Sequence, residues 1–282
     1  MSARAPALLC SRPMDAIPPW ALMWSLAGVI YAGCKAASLR SVRIADRHHH
    51  LRASALGYLL LWPGMDARSF LTAPPVRPRP VPASDWISAG ARTIAGALLL
   101  ALGPRSVHSP LLAGWLGMIG LILFLHFGSF ALLALGWQSL GHRTHALMRK
   151  PLLSQSLSEL WGSRWNTAFS DLSRTLLLPP LRSRAGAPVA VFLVFVISGL
   201  VHDCVISLPA RGGYGLPTLY FIIQGAGLAL ERSPVGHALC LRSGWPGRLF
   251  TFVVALAPLG LLFHDPFVLR VIVPFLRAVH AL

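Results

Sequence analysis

Trp161-Gly162-Ser163-Arg164-Trp165-Asn166 opens a stretch that closes with Ser198-Gly199-Leu200-Val201-His202-Asp203. The opening part reads as a polar-faced helix beside a membrane, and the closing part as the deep portion of an apolar span. An Asn and a His are thereby placed where lipid makes polar groups expensive. Ser156 and Glu159 have the S-x-x-E spacing of a capping box, in which each side chain satisfies a free N–H of the first helical turn. Apolar residues then fall at Leu157, Leu160, Trp161, Trp165, Ala168, Phe169, Leu172 and Leu176, one stripe of a 3.6-residue period. Pro179-Pro180 is expected to end that helix. Its other face carries Ser163, Asn166, Ser170, Asp171 and Arg174, with Asp171 and Arg174 placed to pair. The expectation is one helix lying in the interface with its Trp side chains at headgroup depth. An inert anchor and a functional helix both fit that pattern.

The segment 187–208 is apolar except for Ser198, His202, Asp203, Cys204 and Ser207. An ionisable group inside a spanning helix marks a functional site unless it only bridges helices. Ser198 and Gly199 lie one turn before His202, so the helix is narrow there and another group can approach closely. Asp203 is rotated about 100° from His202, which directs it to an adjacent helix rather than to the imidazole.

Composition sets the class. Hydrophobic residues make up 55% and charged ones 12% of the 282 residues, and mean hydropathy is +0.62, which excludes an ordinary soluble domain. The four cysteines (Cys10, Cys34, Cys204, Cys240) have neither metal-ligand nor C-x-x-C spacing, so no disulfide framework or redox chemistry is indicated. Residues 1–16 show no clear signal peptide, and 17–38 is long enough to span. A basic segment around His48-His49-His50 follows. Three adjacent histidines point in different directions, which makes a poor metal site. The segment 56–62 is too short to cross and runs into Pro63-Gly64, as in a re-entrant or interfacial turn. Residues 74–82 read as an extended Pro- and Arg-rich linker.

Further spans are expected at 86–102, with Arg92 facing protein or snorkelling, and at 110–137, long enough to tilt and containing His126. Others fall at 187–208, 216–230 and 249–263. Residues 267–282 read as an amphipathic element or a short final span, and Arg270 and Arg277 favour the first. There is no internal repeat and no separate soluble domain. Eight cationic residues fall in 35–85, seven in 140–185 and three in 231–248, alternating with loops that carry only Arg105 and Arg211. The rich loops are then cytoplasmic, and the helix of Trp161 starts on that side.

The run Ser158-Glu159-Leu160-Trp161-Gly162-Ser163-Arg164-Trp165-Asn166, followed by Ser198-Gly199-x-x-His202, resembles the wax synthase branch of the membrane-bound O-acyltransferases. The likeness extends over 151–231, where Gln224-Gly225 in an apolar span also fits. Tyr58 to Asp66 (YLLLWPGMD) is similar to the N-terminal part of bacterial members. Asp203 stands where Glu is more usual, and the chain is shorter than many members. The resemblance implies an all-α, polytopic bundle of about six to eight membrane helices, one acyltransferase domain over 1–282, in a bacterial inner membrane. It makes His202 and Asn166 the catalytic pair, and Trp161, Arg164, Trp165, Gln224, Asp203 and Ser198 substrate-binding residues. Acyl-CoA is implied as co-substrate, with no resident cofactor or metal. The partners are a lipid alcohol and membrane lipids, and no nucleic acid.

The residue types suit O-acylation. A neutral imidazole can take the proton of an acceptor hydroxyl, and an amide N–H can stabilise the negative charge that grows on a thioester carbonyl. Asn166 fits that role or that of orienting the imidazole. Arg149, Lys150, Arg164, Arg182 and Arg184 suit the phosphates of coenzyme A or, equally, anionic lipid. The implied product is a wax ester, ahead of a sterol ester or triacylglycerol. A transporter or channel with an intramembrane His is the rival class, and a silent membrane scaffold is the third.

Overall fold

The computed structural model describes residues 17–42, 51–71 and 80–282, and every regular element among them is helical. Residues 1–16, Arg43, Arg47, the three consecutive histidines and most of the 74–82 linker lie outside the described residues. The helices are α1 (Pro19–Arg40), α2 (Leu51–Leu61), α3 (Ala67–Leu71), α4 (Ala83–Leu102), α5 (Pro110–Ser139), α6 (157–164), α7 (167–185), α8 (Ala187–Ala210), α9 (Leu216–Glu231), α10 (Gly244–Leu262) and α11 (265–278). Among the described residues five of them (α1, α4, α5, α8 and α10) are long and apolar enough to cross a membrane. The chain is therefore an all-α, multi-pass membrane protein. Helix α9 has 16 residues, a rise of roughly 24 Å against about 30 Å of hydrocarbon. It packs beside α8 and against α10, burying Tyr220, Phe221, Gln224, Leu228 and Glu231.

The stretch containing Trp161 and Asn166 is not one helix. Helix α6 stops at Arg164, Trp165 is extended (φ −102°, ψ 126°), and Asn166 is left-handed (φ 43°, ψ 62°) before α7 starts at Thr167. The periodicity across the break is an accident of spacing. Nor does Pro179-Pro180 end α7, which runs to Ala185. A π turn over Ser173–Leu177 already interrupts the regular ladder, so the prolines sit at a fresh helical start where a missing N–H costs little. Gly186, with φ 78°, makes the corner into α8.

The turn at Tyr58–Asp66 is held from within the bundle. Lys35, counted above among the cytoplasmic loop charges, lies inside α1 and is only 1% exposed. Its ammonium donates to the carbonyls of Tyr58 (3.0 Å), Trp62 (2.5 Å) and Gly64 (2.5 Å) and sits 3.6 Å from the centre of the Tyr58 ring. Ser38 adds a bond to the Met65 carbonyl (2.5 Å) and receives one from the Tyr58 hydroxyl (3.0 Å). A buried cation is tolerable when carbonyls and an aromatic face replace its water, and the irregular chain at 62–66 gains partners for its carbonyls.

The C-terminal element packs its apolar face into the bundle. Val268, Val271, Ile272 and Leu276 of α11 are buried in the main core, which includes Leu157, Phe195, Tyr220 and Phe221. Arg270 is occupied by the carbonyls of Ala210 (3.3 Å) and Arg211 (3.2 Å) at the end of α8. A second core, around Tyr58, Trp62, Phe70, Ala168 and Leu172, joins the 58–71 unit to α7.

Candidate active site

Helix α6 begins as the spacing predicts. The Ser156 hydroxyl accepts from the Glu159 N–H (3.0 Å), while the Glu159 carboxylate accepts from Gln155 N–H (2.7 Å) rather than from Ser156. A second carboxylate, unforeseen in the sequence reading, completes this end. Glu231, fully buried at the end of α9, accepts from the N–H groups of Leu157 (2.5 Å) and Ser158 (3.3 Å) and from the Ser158 hydroxyl (2.5 Å). These N–H groups have no intrahelical acceptor, and an anion there also suits the helix dipole. The available signal was that Glu231 is the sole acidic residue between Asp203 and Asp265, ending an apolar run that has no other reason to carry one.

Helix α9 grips α6 again two turns earlier. The Gln224 amide, fully buried, accepts from Trp161 Nε1 (3.3 Å) and donates to the Val254 carbonyl of α10 (2.8 Å). The Trp161 ring meets Phe195 (6.1 Å between centroids) and Phe221 (6.0 Å). Trp165 packs against the main core and meets Phe127 of α5 (6.3 Å). Both indoles thus pack against the main core, and Gln224 supplies the partner that the Trp161 N–H needs.

His202 lies one turn beyond a close helix crossing. A methyl group on Gly199 would sit 2.7 Å from Thr218 Cα, so only glycine allows α8 and α9 to meet there. The partly buried imidazole rests on Phe221 (4.5 Å between centroids). Its Nδ1 is 2.7 Å from the Ser198 carbonyl. A carbonyl only accepts, so Nδ1 carries the hydrogen and a neutral ring presents Nε2 as a lone pair. Nε2 has no hydrogen-bond partner among the described residues. Ser198 itself is 3% exposed, and its backbone is what serves the histidine.

Asp203 turns away to α9, as its rotation predicts. It accepts from Gly215 N–H (2.8 Å), Ser207 Oγ (2.9 Å), Thr218 N–H (3.1 Å) and the Thr218 hydroxyl. The carboxylate therefore caps α9 and sets the height of Phe221 and Gln224. Arg164 is likewise occupied, paired with Glu159 (2.6 Å) and donating to the carbonyls of Arg149 and Lys150 (both 3.2 Å). Asn166 is exposed. Its N–H meets Met148 Sδ (3.3 Å), and its side chain makes no hydrogen bond among the described residues. The structure thus gathers Trp161, Ser198, His202, Phe221 and Gln224 into one cluster. Arg164 and Asp203 are held by partners of their own, and no hydrogen bond joins Asn166 to His202.

Beside the break, Asp171 meets His145 (3.7 Å) and Arg174 (3.7 Å), the latter as its spacing predicts. Burial, and then the Asp66 charge, push the Asp171 carboxyl up from 3.8 to about 6, against Arg174 and Arg149. A folded carboxyl that holds its proton more tightly than the unfolded one loses stability as pH rises from about 4 to 6. Asp171→Asn imitates the protonated form. The variant is expected to melt above wild type at pH 7, by at most about 3 kcal/mol, and the gap should close by pH 4. Detergent-solubilised melting curves across that range check it, and wild type melting higher at pH 7 refutes it. Further along α7, Arg174, Leu178, Pro179 and Arg182 line a cavity of about 410 Å³.

Residues 144–223 match the sequence profile of the membrane bound O-acyl transferase family. Two curated proteins of Arabidopsis thaliana are also similar. "Probable long-chain-alcohol O-fatty-acyltransferase 9" is 28% identical over 144 residues, 46% of this chain and 42% of its own. "Probable long-chain-alcohol O-fatty-acyltransferase 7" is 30% identical over 131 residues, 40% of this chain and 37% of its own. The chain spans about two fifths of the length of the curated relatives it matches. The matched profile takes in the Trp165–Asn166 break, the 410 Å³ cavity and His202 within one bundle of apolar helices. Over that segment, the chain is similar to the membrane bound O-acyl transferase family.

Proposed function

We propose that this protein transfers a fatty acyl group from acyl-CoA to a lipid hydroxyl, with a long-chain alcohol as acceptor and a wax ester as product. The observation that carries the reading is His202, whose Nδ1 is tied to the Ser198 carbonyl so that Nε2 is left as an unpaired base in an apolar span. In the proposed step the acceptor hydroxyl gives its proton to His202 Nε2 as its oxygen attacks the thioester carbonyl carbon. The carbon–sulfur bond breaks as the tetrahedral intermediate collapses, and the imidazolium returns the proton to the departing thiolate. Ester and coenzyme A thiol leave, and the histidine is neutral again.

Asn166 is assigned to the thioester oxygen, where an amide N–H resists the growing negative charge. Its side chain is uncommitted and exposed at the break, as a group that awaits a substrate should be. Trp161 and Gln224 shape the wall behind His202 through Phe221. Asp203 acts by holding α9 in place. Arg182, which lines the 410 Å³ cavity, suits the phosphates of coenzyme A on the cytoplasmic side, while Arg174 beside it is already paired with Asp171. Arg164 suits them less, being already paired.

The acceptor ranking draws on the two plant relatives, both named for long-chain alcohols. An alcohol dissolved in the bilayer gains little by entering a protein tunnel, so orientation of its hydroxyl is the larger contribution. The test is purified protein in lipid vesicles with labelled acyl-CoA and a panel of long-chain alcohols, sterols and diacylglycerols. Labelled wax ester is the expected product. Sterol ester or triacylglycerol alone would overturn the acceptor, and no ester from any alcohol would overturn the reaction.

A further inference from the structure

Among the described residues, three buried side-chain polar atoms have no hydrogen-bond partner: His126 Nδ1, Thr167 Oγ and Ser173 Oγ. Such atoms are rare in folded proteins, and each calls for an occupant or a role. Two of them, His126 Nδ1 and Thr167 Oγ, lie on α5 and at the start of α7. His126 lies in the middle of a π turn, Leu123–Ser129, in the long span α5, and π turns recur at functional sites. Helix α4 covers the opposite side of that turn, since side chains on Gly96 and Gly128 would overlap Phe124 and Thr93. On the His126 side, Phe130 meets the imidazole edge-on (5.2 Å) and packs against the core that contains Ala168 and Leu172 of α7. Its neighbour Phe127 meets Trp165 (6.3 Å). This face of α5 therefore looks onto the start of α7, where Thr167 is 3% exposed. Because Thr167 opens the helix directly after the break, its hydroxyl lacks the preceding helical turn that would ordinarily receive it.

We propose that His126 and Thr167 form a polar subsite that receives the hydroxyl of a neutral long-chain lipid. A neutral imidazole and a threonine hydroxyl each offer a donor and an acceptor, and an alcohol hydroxyl reciprocates both. A carboxylate or phosphate would go uncompensated, since neither 123–130 nor 165–168 contains Lys or Arg. The subsite includes the residue next to Asn166, and its place in turnover rests on the acyltransferase reading, with the alcohol held there before its hydroxyl passes to His202.

The test uses full-length protein in lipid nanodiscs and a long-chain alcohol carrying a diazirine in its chain, without acyl-CoA. Wild type should be labelled, with labelling competed by the plain alcohol and not by its methyl ether. His126→Phe and Thr167→Val should each weaken labelling by about fivefold to tenfold, the worth of one hydrogen bond. In turnover the KM for alcohol should rise by a similar factor while the KM for acyl-CoA stays put. Unchanged labelling in both variants would leave a water as the occupant and overturn the proposal. An equal rise in both KM values would also overturn it, as the mark of a general structural defect. Labelling that depends on both residues, in a protein that forms no ester, would support the subsite and refute the acyltransferase reading instead.

Discussion

His202→Ala is expected to lower ester formation by roughly 100- to 10,000-fold, the usual worth of a general base, with the protein still inserted and helical. The variant is informative because the imidazole contributes little to the fold. Among the described residues its one hydrogen bond goes to the Ser198 carbonyl, which in a regular helix also receives the N–H four residues on. Removing the ring therefore strands no buried carbonyl. Phe221 loses a neighbour at 4.5 Å, but its contact with Trp161 remains. Initial rates with labelled acyl-CoA and a long-chain alcohol, beside circular dichroism of the same preparations, measure both halves of the expectation. Turnover near wild type would refute His202 as the base.

At Asn166 two substitutions separate the amide from the backbone. The left-handed conformation (φ 43°) is one that Asn and Gly adopt readily and Ala does not. Asn166→Gly keeps the break between α6 and α7 and deletes only the amide. Loss of one oxyanion donor costs roughly 100- to 1,000-fold in turnover, and that is the expectation for the glycine variant. Asn166→Ala should lose the same and also melt lower, because its backbone is strained. If the glycine variant turned over normally while the alanine variant did not, the break would matter and the amide would not. The assignment of Asn166 to the thioester oxygen would then fall.

The order of apolar segments was legible because a membrane span needs only length and hydropathy. The stretches 17–38, 86–102, 110–137 and 249–263 correspond to α1, α4, α5 and α10 with small shifts at their ends. His202 was legible for the same reason, since a polar residue in an apolar span stands out. The turn of Asp203 toward a neighbouring helix followed from helical rotation alone, and its bonds to Gly215 and Thr218 agree with it. The break at Trp165–Asn166 was not legible. Hydrophobic period counts positions and is blind to one residue entering the left-handed region, and the stripe continues through the interruption.

By itself, the sequence determined the class of the protein, the succession of its spans, the Ser156 cap of α6 and the isolation of an imidazole among apolar side chains. Each depends on the composition or spacing of one contiguous segment. Only the tertiary structure decided that Lys35 lies inside α1 and holds Trp62 and Gly64, that Glu231 caps α6, and that Gln224 pairs with Trp161. Those partners are brought together by helix crossings such as the one at Gly199, where the absence of a side chain permits contact without naming what will arrive. A buried polar group must find a partner somewhere, but its own neighbours in the chain do not say where, and in this bundle the partners come from other helices.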